Sequence, residues 1–308
     1  MTETVQATAE KIKKLEVQGA RNVAIATIKA LQTLAEQTKT KSKKQFLMEL
    51  REAQEMLVAS RETEPLMRNA IRWVIAQAED SNAEKVDALS KVVISKANQF
   101  LEDLKASKEC IAEIGAKRIR NGSVILTHCH SSTVTRLLAK AKEAGKNFKV
   151  ICTETRPAFQ GRITAKEMVE LGIETTFIVD SAVRSFMGNV DLVIVGADAI
   201  TSEGNVVNKI GTSGIAVLAN EARKPFYIVT ELLKFDPETI GGECEKIEQR
   251  NPSEVWKEAP EKLIVKNPAF DVTPSKYIHG IICEAGVIAP QSIVQVVTQS
   301  YPWILKSI

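Results

Sequence analysis

Several segments of this 308-residue chain bring reactive side chains together. Thr127-His128-Cys129-His130-Ser131-Ser132 sets a thiol between two imidazoles and next to two hydroxyls. Glu154-Thr155-Arg156-Pro157, followed by Gln160-Gly161, supplies a carboxylate, a guanidinium and an amide. Asp180-Ser181 and Gly196-Ala197-Asp198 add carboxylates, and Glu231 with Lys234 adds one of each charge. A thiol among cations suits a base, because positive charge or a helix N-terminus favours the thiolate. A carboxyl in a dry cleft suits an acid, because burial favours its neutral form. Taken singly, each residue is weak evidence. A cysteine at a strand end is more often buried filler, Asp198 could cap a helix, and Arg156 before a proline could belong to a surface loop. His128 and His130 would point to one side of an extended chain with Cys129 opposite. No third ligand accompanies them, so no metal is expected.

The stretch Gly204-Asn205-Val206-Val207-Asn208-Lys209-Ile210-Gly211-Thr212-Ser213-Gly214 is rich in glycine and hydroxyls and leads into an apolar segment, 215–223, expected to be helical. Free N–H groups at a helix start with a lysine nearby make a phosphate site, so Asn208 and Lys209 are candidate phosphate ligands. The spacing does not fit the P-loop pattern, which argues against nucleotide hydrolysis.

These residues need a scaffold. Residues 123–128, 148–153, 175–179, 191–195, 225–230 and 280–283 are short apolar runs rich in β-branched side chains. Most are separated by helical segments such as 133–144 and 163–171, which implies a parallel sheet covered on both faces. Ligands of such sheets bind beyond the carboxyl ends of the strands, where the segments above fall. The first third has helical periodicity instead, in residues 19–36, 46–60, 65–78 and 86–114, with a lysine-rich stretch at 39–44. No strand is expected before residue 120. The expected architecture is an α/β chain, with an all-helical N-terminal domain over 1–118 followed by a doubly wound parallel-sheet domain over 119–308.

Composition excludes several function classes. Forty-one basic residues nearly balance 38 acidic ones, for a net charge of +3, which gives no sign of a concentrated nucleic-acid-binding face. The apolar runs fall short of the roughly 18 residues of a membrane span. Residues 1–15 are polar and helical in character and lack the pattern of a signal peptide. The five cysteines, Cys110, Cys129, Cys152, Cys244 and Cys283, form no CxxC pair, against both a disulfide framework and structural zinc. The expectation is a cytoplasmic protein that binds neither membrane nor nucleic acid.

Five stretches together resemble a known family: THCHSS at 127–132, TETRPAFQG at 153–161, GADAI at 196–200, GNVVNKIGT at 204–212 and NPAFDVTP at 267–274. The family contains methylthioribose-1-phosphate isomerase, archaeal ribose-1,5-bisphosphate isomerase and the alpha, beta and delta regulatory subunits of translation initiation factor 2B. The resemblance covers residues 120–308 and, more loosely, the helical third. It implies a Rossmann-like second domain and a catalytic pair formed by Cys129 and Asp198. Cys129 would be the base at C2 of the sugar and Asp198 the general acid at a sugar oxygen. Regulatory subunits commonly lack one or both, so the pair implies an enzyme.

Within that resemblance, Ser131, Arg156, Gln160, Asn208, Lys209 and Lys234 fall at substrate-binding positions. Lys234 precedes Phe235 as in the bisphosphate isomerases, where a cation would meet a second phosphate. Arg61 resembles the phosphate-binding arginine of the helical domain, although Glu62 stands where the family usually has proline. The enzymes carry an Arg-Gly-Ala-Gly turn near the N-terminus. This chain has Gln18-Gly19-Ala20-Arg21, so Gly19, Ala20 and Arg21 are candidate ligands with the arginine displaced. The implied activity is conversion of ribose 1,5-bisphosphate to ribulose 1,5-bisphosphate in salvage of nucleotide ribose, with no metal or organic cofactor. The alternatives are a non-catalytic regulatory subunit and methylthioribose-1-phosphate isomerase. The resemblance also implies a homodimer or larger even-numbered oligomer, with the apolar segment 288–308 as interface or core.

Overall fold

The computed structural model describes residues 3–61 and 63–305. Glu62 and residues 306–308, which entered the sequence reading, lie outside the described residues. The chain forms two compact units, residues 3–106 with 301–305, and residues 107–300.

The first unit is built from α1 (Glu3–Lys13), α2 (Ala20–Gln37), α3 (Lys43–Ala59), α4 (Pro65–Glu79) and the first part of α5 (Val86–Ala116). Local chemistry sets their starts. The Ser42 hydroxyl accepts from the Gln45 amide to cap α3, and Pro65 occupies the first turn of α4, where a missing N–H costs nothing. Helical spacing turns Ile12, Ile28, Leu31, Phe46, Leu50, Leu57 and Ile71 inward, and all seven are fully buried. Each such side chain contributes about 1.5–3 kcal/mol. Residues 301–305 join this unit, where Trp303 lies 6.5 Å from Trp73 and 6.1 Å from Tyr301 between ring centroids.

The expected boundary near residue 118 moves back into α5. The helix continues past Ala106, and Ile111, Ala112 and Ala116 on its last turns bury in the core of the second unit with Ile125, Leu137, Val150, Ile194 and Ile282. A helix with unbroken periodicity carries no mark of where its apolar face changes partners.

The second unit holds β1 (Val124–Thr127), α6 (Ser132–Glu143), β2 (Lys149–Thr153), α7 (Gly161–Glu170), β3 (Glu174–Ile178), α8 (Val183–Phe186), β4 (Leu192–Val195), β5 (Ala199–Ile200), β6 (Val206–Lys209), α9 (Thr212–Glu221), β7 (Phe226–Val229), β8 (Phe270–Thr273), β9 (Gly280–Cys283), β10 (Gly286–Ile288) and α10 (Ile293–Ser300). The main sheet runs β10-β9-β7-β4-β1-β2-β3. All its neighbours pair in parallel except β10, which turns back on β9. Read outward from β1, the parallel strands follow the doubly wound order, in which the chain leaves β1 toward one edge and later fills the other. The crevice between the carboxyl ends of β1 and β4 is therefore the topological switch point.

A second, antiparallel sheet, β5-β6-β8, is an addition to the expected fold. β6 lies inside the glycine- and hydroxyl-rich stretch 204–214, where no strand was expected. Its four residues are buried throughout, so no alternation marks it as a strand, and its longer pairing, with β8, joins residues some 60 apart. Among the described residues no helix is long and apolar enough to cross a membrane.

The start of α7 is held by close backbone approach. A Cβ on Gly161 would lie 1.7 Å from the Thr153 carbonyl oxygen. Gly161→Ala should destabilise the protein by at least the 1–3 kcal/mol typical of overpacking, read as a lower denaturant midpoint in chemical unfolding.

Candidate active site

Cys129 leaves β1 with φ 67°, a left-handed conformation that costs a non-glycine residue about 1–2 kcal/mol. Thr155, at the end of β2, has φ 64°, and Phe159 has φ 59°. Strain gathered along one rim points to function. The two loops are tied together: the Cys129 amide donates to the Thr155 hydroxyl (2.9 Å), and the Thr164 hydroxyl donates to the Cys129 carbonyl (2.8 Å). Asp180, after β3, accepts from the Thr155 and Arg156 amides at 2.7 and 2.8 Å.

Asp198 leaves the adjacent strand β4, half-buried, its amide donating to the Val207 carbonyl (2.9 Å). Gly196 lets this loop approach the β1 loop, since a Cβ there would meet the Ser131 side chain at 2.8 Å. Ser131 caps α6 by accepting from the Val134 amide (3.4 Å), which leaves its O–H free to donate. The half-buried Cys129 thiol is pushed up to about 11, chiefly by burial, and the Asp198 charge adds to the effect. Lys209 and Arg250 pull it down without overcoming burial. The thiolate expected from nearby cations is thus a protonated thiol at neutral pH.

The two histidines diverge, contrary to the extended-chain reading, because the left-handed Cys129 between them breaks the alternation. His128 is buried with Nδ1 2.6 Å from the Thr153 hydroxyl and Nε2 2.9 Å from the Ile210 carbonyl. A carbonyl only accepts, so Nε2 carries the proton. Burial lowers the His128 pKa, against Asp180 at 3.9 Å, and keeps the ring neutral. His130 turns toward α7, with Nδ1 3.1 Å from the Thr164 hydroxyl and Nε2 3.8 Å from Glu167.

The matching family model is the initiation factor 2 subunit family, over residues 16–290. The chain belongs to that family. It is 44% identical to ribose 1,5-bisphosphate isomerase of Archaeoglobus fulgidus, over 97% of this chain and 94% of that protein. It is 41% identical to the protein of the same name from Methanocaldococcus jannaschii, over 98% and 97%. Among solved structures, the Pyrococcus horikoshii OT3 translation initiation factor eIF-2B superposes with a TM-score of 0.82 at 32% identity, covering 94% of this chain and 98% of that one.

In this member of the family, the phosphate-site expectation for α9 needs correction. Two of the N–H groups at its start are already taken. Asp271 on β8 reaches across from the strand paired with β6 and accepts from the Gly211 amide (2.8 Å) and the Ser213 amide (3.1 Å). Burial raises the Asp271 pKa, and these amides pull it back. Asn208 and Lys209 are buried beside this cap. The Asn208 amide donates to Thr212 (3.0 Å), and the Lys209 ammonium lies 4.9 Å from the Phe270 ring centroid.

Lys234 is buried after β7. Its ammonium donates to the Ala197 carbonyl (2.7 Å) and lies 3.5 Å from Glu231. Glu231 is itself fully buried and accepts from Thr133 (3.2 Å). One N–H of the ammonium thus braces the loop that carries Asp198, while its charge is paired with Glu231. Arg156 is exposed, 5.1 Å from the Phe159 ring centroid, and donates to the Val255 carbonyl (3.0 Å). Gln160 is half-buried, and its Oε1 is buried with no hydrogen-bond partner among the described residues.

Gly19, Ala20, Arg21 and Arg61 belong to the helical unit. Gly19 precedes α2 with φ 83°, Ala20 is buried, the Arg21 guanidinium donates to the Leu104 carbonyl (2.8 Å), and Arg61 is buried 3.0 Å from Glu64. Thr155, Thr164, Asp271 and Arg250 were not singled out by sequence reasoning. Asp271 stood in the NPAFDVTP stretch, but its role depends on a pairing across the second sheet.

Asp271→Ala should lower stability by about 1 kcal/mol, while Asp271→Asn, still a good cap, should cost less, measured by chemical denaturation. Alkylation of Cys129, followed by mass mapping to separate it from the exposed Cys110 and Cys244, should accelerate with rising pH, roughly tenfold per unit, up to a midpoint near 11. A midpoint at or below the ordinary thiol value would show that the cations outweigh burial.

Proposed function

We propose that this protein is an aldose–ketose isomerase converting ribose 1,5-bisphosphate to ribulose 1,5-bisphosphate. The observation that carries the reading is the strained Cys129 and Asp198 meeting across the β1/β4 switch point, with Lys209 acting on the same thiol. The high identity to proteins named for this reaction supports it.

The conversion breaks the bond from C1 to the ring oxygen as that oxygen takes a proton. C2 then loses a proton, C1 gains one, and the C2 hydroxyl becomes a carbonyl. A thiol held near 11 is a poor base on its own. In our reading, the thiol proton passes to Asp198 when substrate fills the cleft, which creates the thiolate for C2 and the acid for the sugar oxygen in one transfer. Water exclusion strengthens both charges. Lys209, Asn208 and Ser131 bind one phosphate, with charge-assisted contacts that also orient the sugar. The unpartnered Gln160 oxygen accepts from a sugar hydroxyl, which removes the penalty of a buried acceptor, about 1–3 kcal/mol. We assign the remaining Lys234 donors to the second phosphate, and Arg156 to the rim. The same reading makes the protein a cytoplasmic enzyme of AMP-derived ribose metabolism and an even-numbered homo-oligomer.

Purified protein supplied with ribose 1,5-bisphosphate should yield ribulose 1,5-bisphosphate, identified by product mass and NMR. Cys129→Ser and Asp198→Asn should each lower kcat by ~10²–10⁴-fold while substrate still binds. Binding without conversion by the wild type would favour a regulatory subunit. Preference for methylthioribose 1-phosphate would overturn the role given to Lys234.

A further inference from the structure

The stretch between Lys234 and β8 carries none of the residues assigned so far, yet part of it is fastened to the site. The Arg250 amide donates to the Asn267 carbonyl and the Ala269 amide to the Glu248 carbonyl, both at 2.9 Å, with Gln249 bridging to Pro268. The next residue, Phe270, is the register partner of Lys209. Asn267 donates in turn to the Asn251 carbonyl (2.9 Å) and to Glu254 (3.1 Å). On the far side, Arg156 reaches the Val255 carbonyl. Residues 248–255 are thus tied both to the approach of β8 and to the loop after β2.

Arg250 sits in this strap with its side chain only 7% exposed. Its Nε donates to Glu248 (3.2 Å), and its terminal nitrogens make no hydrogen bond to any described residue. A guanidinium has five N–H donors in a fixed fork that matches phosphate, and here the enclosed stem holds the fork while its terminal donors stay open. A held fork with open donors suits an anion, which a guanidinium can grip with two parallel bonds. The Arg250 charge also acts on the Cys129 thiol, together with Lys209, so the guanidinium lies within electrostatic reach of the reacting end of the cleft.

We propose that Arg250 is a substrate-binding residue whose terminal nitrogens grip a phosphate of the sugar held beside Cys129, and that strap 248–255 exists to deliver it. The proposal rests on the reading of the cleft as a sugar-phosphate site. Arg250→Gln should raise KM for ribose 1,5-bisphosphate about ten- to hundredfold, the span of a charge-assisted contact, with kcat changed much less. Arg250→Lys, which keeps the charge and loses the fork, should fall between. Inorganic phosphate should compete with substrate less well in both variants. An unchanged KM would overturn the proposal. So would a fall in kcat at constant KM with a lower unfolding midpoint, which would mark a brace for the loop. If Arg250→Gln does not fold, Arg250→Lys decides by the same KM criterion. If the wild type does not turn over the bisphosphate, the functional reading fails separately. Calorimetry with inorganic phosphate then tests Arg250: weaker binding by Arg250→Gln sustains the proposal, and equal binding refutes it.

Discussion

The hydrogen bond from the Cys129 amide to the Thr155 hydroxyl holds two left-handed residues against each other at the carboxyl ends of neighbouring strands. Neither conformation is favoured by its own residue type. Each persists because the surroundings over-determine it: Asp180 takes the Thr155 and Arg156 amides, Thr164 takes the Cys129 carbonyl, and His128 seals the space behind through Thr153 and Ile210. The result turns the thiol out of the strand and toward the switch point. Gly196 then allows the β4 loop to close on Ser131, bringing Asp198 within electrostatic reach of the thiol.

Burial and charge oppose each other around that thiol. Lys209 and Arg250 favour a thiolate, but desolvation outweighs both. A resting thiolate in so enclosed a place would need full compensation for its lost hydration. A resting thiol needs none. Lys234 follows the same logic in a static form. Its ammonium is paired with Glu231 and donates to the Ala197 carbonyl, which steadies the backbone next to Asp198. Removing one partner of such a pair would leave the other charge uncompensated.

The small antiparallel sheet links these parts. β8 pairs with β6 in a register that sets Asp271 opposite Asn208 and Phe270 opposite Lys209. Asp271 then caps α9, and the Phe270 ring faces the Lys209 ammonium. One pairing thus fixes a helix start and a cation near Cys129. It also anchors the strap that carries Arg250.

The sequence by itself determined the elements and the chemical inventory. Short β-branched runs alternating with helices point to a parallel sheet covered on both faces, because such strands bury both sides. Ligands of such a sheet lie beyond its strand ends, which marked Cys129, Asp198 and Lys234 as candidates; the glycine- and hydroxyl-rich stretch before a helix marked Asn208 and Lys209, and the family resemblance supplied their roles. Only the tertiary structure decided what each group does with its neighbours. The N–H groups read as free at α9 belong to Asp271, about 60 residues later in the chain. The histidines part because of one left-handed residue that no propensity favours. The helical boundary falls inside α5 because its apolar face changes partners without a break in period. Local pattern encodes which residues turn inward. Burial, field and hydrogen-bond partnership are sums over groups distant in sequence, and they come into being only when the chain is folded.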